Sequence, residues 1–199
     1  MARNRDPFVS ALRTLRERAV SGVFSPGRPI IILDEAQSLG LSTTPVREAL
    51  AWLGGEGLID RAPAGGYAGL RLDAAGLAGR YRLRLHCLEV GLSSLADLTH
   101  TPATPAPVDP ARLFRSLVSA AADSALTTTY DRVQATVERF ASSEAALLGD
   151  VPDAIGEIVE HLAKGDRPAA RAGLTAFHNR RISIAPLLTE GEQSHAGTG

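Results

Sequence analysis

The residues whose chemistry is easiest to interpret lie in one short run of hydroxyl groups followed by an arginine. Ser42, Thr43 and Thr44 come first, and Arg47 follows after Pro45. A guanidinium offers two parallel donors that match O6 and N7 of guanine, whereas hydroxyls and the N–H groups at the start of a helix suit phosphate oxygens. Proline is tolerated in the first turn of a helix. This run therefore predicts the start of a helix that could contact DNA.

A glycine-rich hairpin supplies the other candidates. Residues 58–63 and 67–72 read as two short strands that flank the tip Ala64-Gly65-Gly66. Arg61 and the small tip could approach the DNA backbone and minor groove closely, and Tyr67 follows directly. The candidate DNA-binding residues are therefore Ser42, Thr43, Thr44, Arg47, Arg61, Gly65, Gly66 and Tyr67.

The elements around these residues predict a winged helix-turn-helix over residues 1–72. Apolar side chains at helical spacing predict an amphipathic helix over 7–21, and Pro29-Ile30-Ile31-Ile32 reads as a short edge strand. A second helix capped by Asp34 and a third helix capped within Ser42–Thr44 flank Gly40, which forms a tight turn. The order helix, strand, helix, helix, hairpin uses this part of the chain completely.

Residues 73–189 predict an all-α bundle, so the fold class is mainly α. Leu77, Tyr81, Leu85, Leu88, Leu92 and Leu95 alternate at steps of four and three, which predicts a long helix with one buried seam. A proline-rich linker at 101–107 ends this helix. Further helices are expected over 109–124, 128–148, 151–164 and 167–187, and 190–199 is expected to be a disordered tail.

Composition narrows the function classes. The 21 basic residues nearly balance 22 acidic ones, giving a net charge of −1, so any DNA binding must come from local charge. The single cysteine, Cys87, excludes an intrachain disulfide and a Cys-rich zinc site and fits a reducing cytoplasm. No secretory or membrane-spanning segment is expected. No phosphate loop, nucleophile–base pair or carboxylate cluster stands out, so we do not expect an enzyme.

Residues 10–72 resemble the N-terminal domain of GntR-family bacterial transcription regulators. The similarity lies in Ser25-Pro26-Gly27, in the run from Gly40 through Thr44-Pro45-Val46-Arg47-Glu48-Ala49-Leu50, and in Glu56-Gly57-Leu58-Ile59 before the glycine wing. The resemblance implies binding to double-stranded operator DNA by a homodimer. Family members commonly carry an arginine where this chain has Thr43, so we expect a different operator preference or weaker binding.

The remaining residues resemble the all-α effector domain, called FCD, of the FadR-type branch. The similarity lies in Leu85–Glu89, Leu113–Leu117 and Ile158–Asp166. Such domains typically bind a divalent metal through an aspartate and three histidines. The corresponding positions hold residues without ligand atoms, and His178 lies one step away from the last of them. These positions hold Pro110, Phe114, Ile155 and Phe177. Because none of these side chains can bind a metal ion, we expect no metal and no cofactor.

Three arginines are candidates for holding an anionic small-molecule effector. Arg82, Arg84 and Arg115 could do so if they point into the bundle, although arginine on a helix is more often solvated or paired. The bundle is shorter than usual, and the Leu77–Leu95 seam favours a homodimer. The leading hypothesis is a metal-free dimeric repressor whose effector is small or lost. The alternative is an interaction protein that binds DNA weakly and recruits a partner through its bundle.

Overall fold

The computed structural model describes residues 6–95, 109–149 and 151–196. The predicted proline-rich linker at 101–107 lies outside the described residues. The chain divides into two compact units, one formed by Met1–Leu72 together with Glu190–Gly199 and the other by Asp73–Thr189. Within the described ranges, no helix is both long and apolar enough to cross a membrane.

The first unit has the predicted winged helix-turn-helix order. The three strands form one antiparallel sheet with the strand over Tyr67–Gly69 in the middle, so that Ile59 pairs with Gly69 and Pro29 pairs with Ala68. Arg61 lies opposite Tyr67 in the hairpin. The elements are α1 (Pro7–Val20), β1 (Pro29–Ile30), α2 (Ile32–Leu39), α3 (Thr43–Glu56), β2 (Ile59–Arg61) and β3 (Tyr67–Gly69).

The turn between α2 and α3 follows from local sequence. Gly40 ends α2 in the left-handed region with a φ of 64°, where residues with a side chain are rarely found. Two details differ from expectation. Helix α2 begins at Ile32, so Asp34 lies in its first turn instead of capping it, and Ser42 precedes α3 without making a side-chain cap hydrogen bond. The hydroxyl of Ser42 is therefore not used to cap the helix.

Helix α1 packs against the buried face of α3. Leu15 on α1 and Leu50 and Leu53 on α3 are fully buried, and the two helices pack against each other. Arg16 on α1 pairs with Glu56 at 2.6 Å, and Arg18 pairs with Glu35 on α2. Apolar burial supplies most of the stabilisation, because partly exposed ion pairs each contribute only about 0–1 kcal/mol. This packing presents the other face of α3 to solvent.

The second unit is helical throughout its described residues, which together with the winged unit confirms the predicted fold class. Buried side chains from five of its helices share one apolar cluster. Its elements are α4 (Ala74–Ser94), α5 (Pro110–Ser119), α6 (Ser124–Val137), a 3-10 turn (Glu138–Phe140), α7 (Ala141–Leu148), α8 (Val151–Ala163) and the part of α9 (Arg167–Ala196) that precedes Glu190.

Three helix boundaries differ from the prediction. Helix α5 ends early because Ala122 adopts a φ of 52° and Asp123 caps α6, accepting from the N–H groups of Ala125 and Leu126. The predicted helix over 128–148 is interrupted by the 3-10 turn, and Phe140 at its end is buried. Helix α9 continues to Ala196, so residues 190–196 are helical where a disordered tail was expected.

Side-chain packing near Pro186 accounts for the longer α9. The proline removes one backbone donor, but Leu188 and Thr189, which follow it, are buried. The Thr189 hydroxyl lies 3.1 Å from the carbonyl oxygen of Ala185. The helix is thus held by tertiary contacts on the far side of the proline, which composition alone did not reveal.

The seam of α4 is used inside the chain. Leu77, Tyr81, Leu88 and Leu92 are buried, and α4 packs against α5 and α6. Arg84 occupies the buried position between Tyr81 and Leu88, whereas Leu85, which was assigned to the seam, is only partly buried. The prediction that this seam is buried is therefore met within the bundle itself, which leaves the seam unavailable for the homodimer contact that it was expected to favour.

Candidate nucleic-acid interface and internal cavity

The structure places five of the eight predicted DNA-binding residues around one groove of about 450 Å³ between α3 and the hairpin. Ile32, Ala62 and Pro63 complete its lining. The predicted residues among the lining are Arg47, Arg61, Gly65, Gly66 and Tyr67.

The other three predicted residues lie at the start of α3. Ser42 and Thr44 are exposed and Thr43 is partly buried. They are not part of the groove lining, but they stand around the uncapped N-terminus of the helix that carries Arg47. The N–H groups of a first helical turn suit phosphate oxygens.

Arg47 and Arg61 are both exposed, and neither has an ion-pair partner among the residues that the structure describes. The competing expectation for Arg47 was an ion pair with Glu48 or Glu56. Glu56 instead pairs with Arg16 at 2.6 Å and accepts a hydrogen bond from the Trp52 indole at 2.8 Å. The guanidinium groups of Arg47 and Arg61 therefore remain available to a phosphate or a base edge.

The hairpin tip is free of side-chain bulk. Gly65 and Gly66 have φ values of 92° and 84°, and a Cβ atom on either would point into open space. Tyr67 lies over α3, because a Cβ built on Gly54 would be 3.4 Å from its ring. The hairpin is thus packed on the helix through Tyr67 while its tip can approach another surface closely.

The second unit contains a cavity of about 150 Å³ whose wall includes two buried arginines. Arg84 is 5% exposed and Arg181 is 2% exposed. Of the three arginines predicted for an effector, only Arg84 lines this cavity. Arg82 is exposed, and Arg115 is exposed and pairs with Asp131 at 3.1 Å. Of these three arginines, therefore, only Arg84 points into the bundle, as holding an effector there would require.

Arg84 is held by side chains from two other helices. Its Nε donates to Nε2 of His178 at 3.1 Å, and its Nη1 donates to Oε1 of Gln134 at 3.1 Å. The Nδ1 atom of His178 lies 2.7 Å from the carbonyl oxygen of Leu174, which requires that Nδ1 carry the ring proton. Burial, together with the nearby Arg84, lowers the pKa of His178 well below its ordinary value, so the ring is neutral.

Arg181 is paired with a buried carboxylate. Its Nε donates to Glu144 at 2.6 Å, and its Nη1 donates to the carbonyl oxygen of Phe177 at 2.9 Å. The Tyr81 hydroxyl donates a second hydrogen bond to Glu144. Burial, and then the charge of Glu144, raise the pKa of Tyr81, so this hydroxyl keeps its proton.

Sequence reasoning missed Arg181, Glu144 and Gln134 as cavity residues, and it missed His178 as a partner of Arg84, although one signal was present. The buried face of α9 reads apolar at helical spacing through Leu174 and Phe177 and again at Ala185 and Leu188. Arg181 falls on that same face. A charged residue on an apolar helix stripe indicates a buried, partnered charge.

The residues at the metal positions implied by the FCD resemblance do not fit a metal. Phe114, Ile155 and Phe177 lie in one apolar cluster, and the two phenyl rings are packed edge to face with centroids 5.4 Å apart. None of these side chains carries a ligand atom. In the described part of the chain, no group of three or more His, Cys, Asp or Glu residues could hold a metal ion.

Comparison with known proteins shows the fold. No protein-family model matches the chain, and no curated protein matches it. Escherichia coli McbR/YncC is similar in structure, with 19% identity over 90% of this chain and 97% of that chain and a TM-score of 0.67. A putative transcriptional regulator GntR from Rhodococcus sp. RHA1 has 17% identity over 89% and 96% of the two chains and a TM-score of 0.69. The chain thus shares the fold of a solved GntR-type regulator.

Proposed function

We propose that this protein is a sequence-specific DNA-binding transcription regulator that acts in the cytoplasm as a homodimeric repressor. The observation that carries the proposal is the groove of the first unit, where Arg47 and Arg61 are exposed and have no ion-pair partner among the described residues. Similarity to a solved structure described as a GntR transcriptional regulator supports it. A groove with two unpaired cations beside a helix N-terminus suits a polyanion.

Each group in this interface has a proposed role. Arg47 reads a guanine in the major groove, since its guanidinium can bond O6 and N7 together. Ser42, Thr43 and Thr44 contact phosphates at the start of α3. The hairpin follows the adjacent backbone and minor groove through Arg61 and Tyr67, with the tip Gly65-Gly66 at the closest approach.

The effector is proposed to be a small anion in the cavity of the second unit. Arg84 and Arg181 line that cavity, and both are buried. A buried arginine is stable only when its charge and its donors are matched by acceptors. The site is proposed to work without a metal ion, because Phe114, Ile155 and Phe177 offer no ligand atoms.

The homodimer requires a surface other than the buried seam of α4. Leu83 and Val90 are exposed on α4 and lie seven residues apart, on the same side of the helix. We propose that this side contacts a second copy. Two copies would allow two DNA half-sites about one helical turn apart to be bound together.

An interaction protein with weak DNA binding is the second candidate. Its supporting observation is that large apolar side chains are exposed on the bundle outside α4, namely Leu147 and Leu187. A partner protein could cover such residues. Sequence-selective DNA binding separates the two candidates.

The test is fluorescence anisotropy of the full chain on duplexes that tile the DNA around its own gene, with shuffled duplexes as controls. Measurements at about 50 and 200 mM salt report the number of phosphate contacts. Each contact makes the slope of the logarithm of the binding constant against the logarithm of the salt concentration more negative by nearly one unit. We expect tight binding to one duplex, weaker binding at high salt, and no effect of EDTA. Equal weak binding to every duplex would favour the interaction protein, and loss of binding in EDTA would refute the metal-free site.

A further inference from the structure

We propose that Glu144 restricts the ligand of the internal cavity to a compact anion with a single negative charge. The inference deepens the proposed function, because it rests on the cavity being the effector site. It concerns the charges that the bundle buries and the partly open cavity that they line.

The buried charges do not balance. Arg84 and Arg181 contribute two positive charges to the cavity wall, and Glu144, which is 7% exposed, contributes one negative charge. His178 adds none, because its Nε2 accepts from Arg84 while its Nδ1 faces the carbonyl oxygen of Leu174. Among the residues that the structure describes, one positive charge is therefore left inside the bundle without a buried counter-charge, an unfavourable state that a bound monoanion would relieve.

The same two arginines have donors to spare. Each uses its Nε and its Nη1 group in hydrogen bonds to the protein. Neither Nη2 group makes a hydrogen bond to any residue that the structure describes. A carboxylate in the cavity would thus find charged donors already held in place by Gln134, His178 and Glu144, which reduces the entropy lost on binding.

The remaining wall limits the size and polarity of the ligand. Phe114, Phe177, Val137 and Val151 contribute apolar surface to the cavity. Its volume of about 150 Å³ is comparable to that of cavities known to hold a benzene ring. The ligand class that fits is a small monocarboxylate with an apolar body.

Glu144 sets the charge limit because both of its carboxylate oxygens are held inside the bundle. It accepts from the Arg181 Nε at 2.6 Å and from the Tyr81 hydroxyl, so its charge permanently compensates one arginine. A second carboxylate on the ligand would leave one net negative charge in the bundle and would be repelled by Glu144. Asp109 and Glu138, which are exposed at the wall of the cavity, would add to this repulsion.

The test compares two acids by isothermal titration calorimetry on the full chain. 4-Methylpentanoate and succinate share one skeleton, in which an isopropyl group replaces the second carboxylate. At a pH above neutrality, where succinate is a dianion, we expect 4-methylpentanoate to bind the wild-type chain more tightly by roughly tenfold or more. Equal affinities, or a preference for succinate, would overturn the proposal.

Variants separate the charge effect from simple apolar preference. Glu144→Gln keeps an acceptor for Tyr81 but raises the net buried charge to two, so the affinity ratio should move toward succinate by roughly tenfold. Glu157→Gln removes a charge from an exposed position on α8 and should leave the ratio unchanged. An unchanged ratio in folded Glu144→Gln would refute the assignment.

A second variant keeps the test decisive if Glu144→Gln does not fold. Gln134→Glu, at a partly buried position beside Arg84, cancels the net positive charge and should weaken 4-methylpentanoate binding by roughly tenfold. Unchanged binding would count against the charge argument. If neither acid binds while DNA binding is intact, the cavity proposal fails and the regulator stands. If the acids bind as expected without any selective DNA binding, the regulator fails and the cavity stands.

Discussion

The arginines of this protein differ in whether an acidic side chain pairs with them. Arg16 and Arg18 form ion pairs with acidic side chains of the first unit. Arg47 and Arg61, which line the groove beside α3, have no ion-pair partner in the part of the chain that the structure describes. In the second unit, the hydrogen-bond partners of the buried Arg84 are uncharged. Burying its charge therefore costs folding free energy that a bound anion would offset.

The substitution Arg47→Ala tests whether the Arg47 side chain contacts a base. We expect a loss of about 1–3 kcal/mol in binding to the preferred duplex and relaxed selectivity at one base pair, because a bidentate contact to guanine is removed. Arg13→Ala is the matched control, since Arg13 is exposed on α1 in an ion pair with Glu17. Anisotropy with single-base variants of the duplex measures both effects. A small, uniform loss across all sequences would instead identify Arg47 as a phosphate contact.

His178 should make the stability of the chain depend on pH. Burial, and then Arg84 and Arg181, lower its pKa in the folded state, so only the unfolded chain takes up a proton below about pH 6.5. Stability should therefore fall as the pH drops below that value, by at most about 1.4 kcal/mol per pH unit.

Urea unfolding at several pH values measures this slope. His178→Gln, which retains an acceptor for Arg84, should have a shallower slope between about pH 6.5 and 5. His86→Gln serves as the control, because His86 is exposed on α4. The same slope in His178→Gln as in the wild type would show that other groups cause the acid sensitivity.

At the scale of elements, close helix packing determines where the cavity residues lie. Helix α4 carries Arg84, and it crosses α5 at Gly91, where a Cβ atom would lie 2.4 Å from the carbonyl oxygen of Leu117. Real Cβ atoms do not approach backbone that closely, so this glycine permits the crossing. Helix α5 in turn carries Phe114, which lines the cavity.

Gly91→Ala should therefore destabilise the bundle by about 1–3 kcal/mol, since the added methyl group forces the helices apart. Gly79→Ala is the control on the same helix. A Cβ atom there meets nothing within 4 Å, so the higher helix propensity of alanine should stabilise the chain by about 0.5–1 kcal/mol. Thermal unfolding of both variants measures the difference. Equal melting temperatures would mean that α4 and α5 can shift without cost.

For the whole molecule, a net charge of −1 gives no overall attraction to a polyanion, so the proposed DNA binding would depend on where the basic groups lie. The proposed homodimer would instead form through exposed apolar side chains. We expect sedimentation to give twice the chain mass. Leu83→Glu combined with Val90→Glu should give monomers, because two charges would be placed in the proposed contact. Leu147→Glu, at an exposed position on α7, should leave the mass unchanged. A dimer that survives the double substitution would place the interface elsewhere.

Residues close together in the sequence determined the winged unit. Gly40 ends α2, the glycine tip closes the hairpin, and Pro45 sits in the first turn of α3; each acts on neighbours only a few residues away. These signals were sufficient to predict the fold class and the candidate residues that line the groove.

Only the tertiary structure decided which charges are buried in the bundle. Arg84 donates a hydrogen bond to His178, which lies 94 residues away in the sequence, and Tyr81 donates one to Glu144, which lies 63 residues away. Arg82 and Arg84 are two residues apart on the same helix, yet one is exposed and the other buried. Helical periodicity allowed either to face inward, and the burial of Arg84 follows from distant helices that pack over one side of α4, because burial is a property of the assembled core.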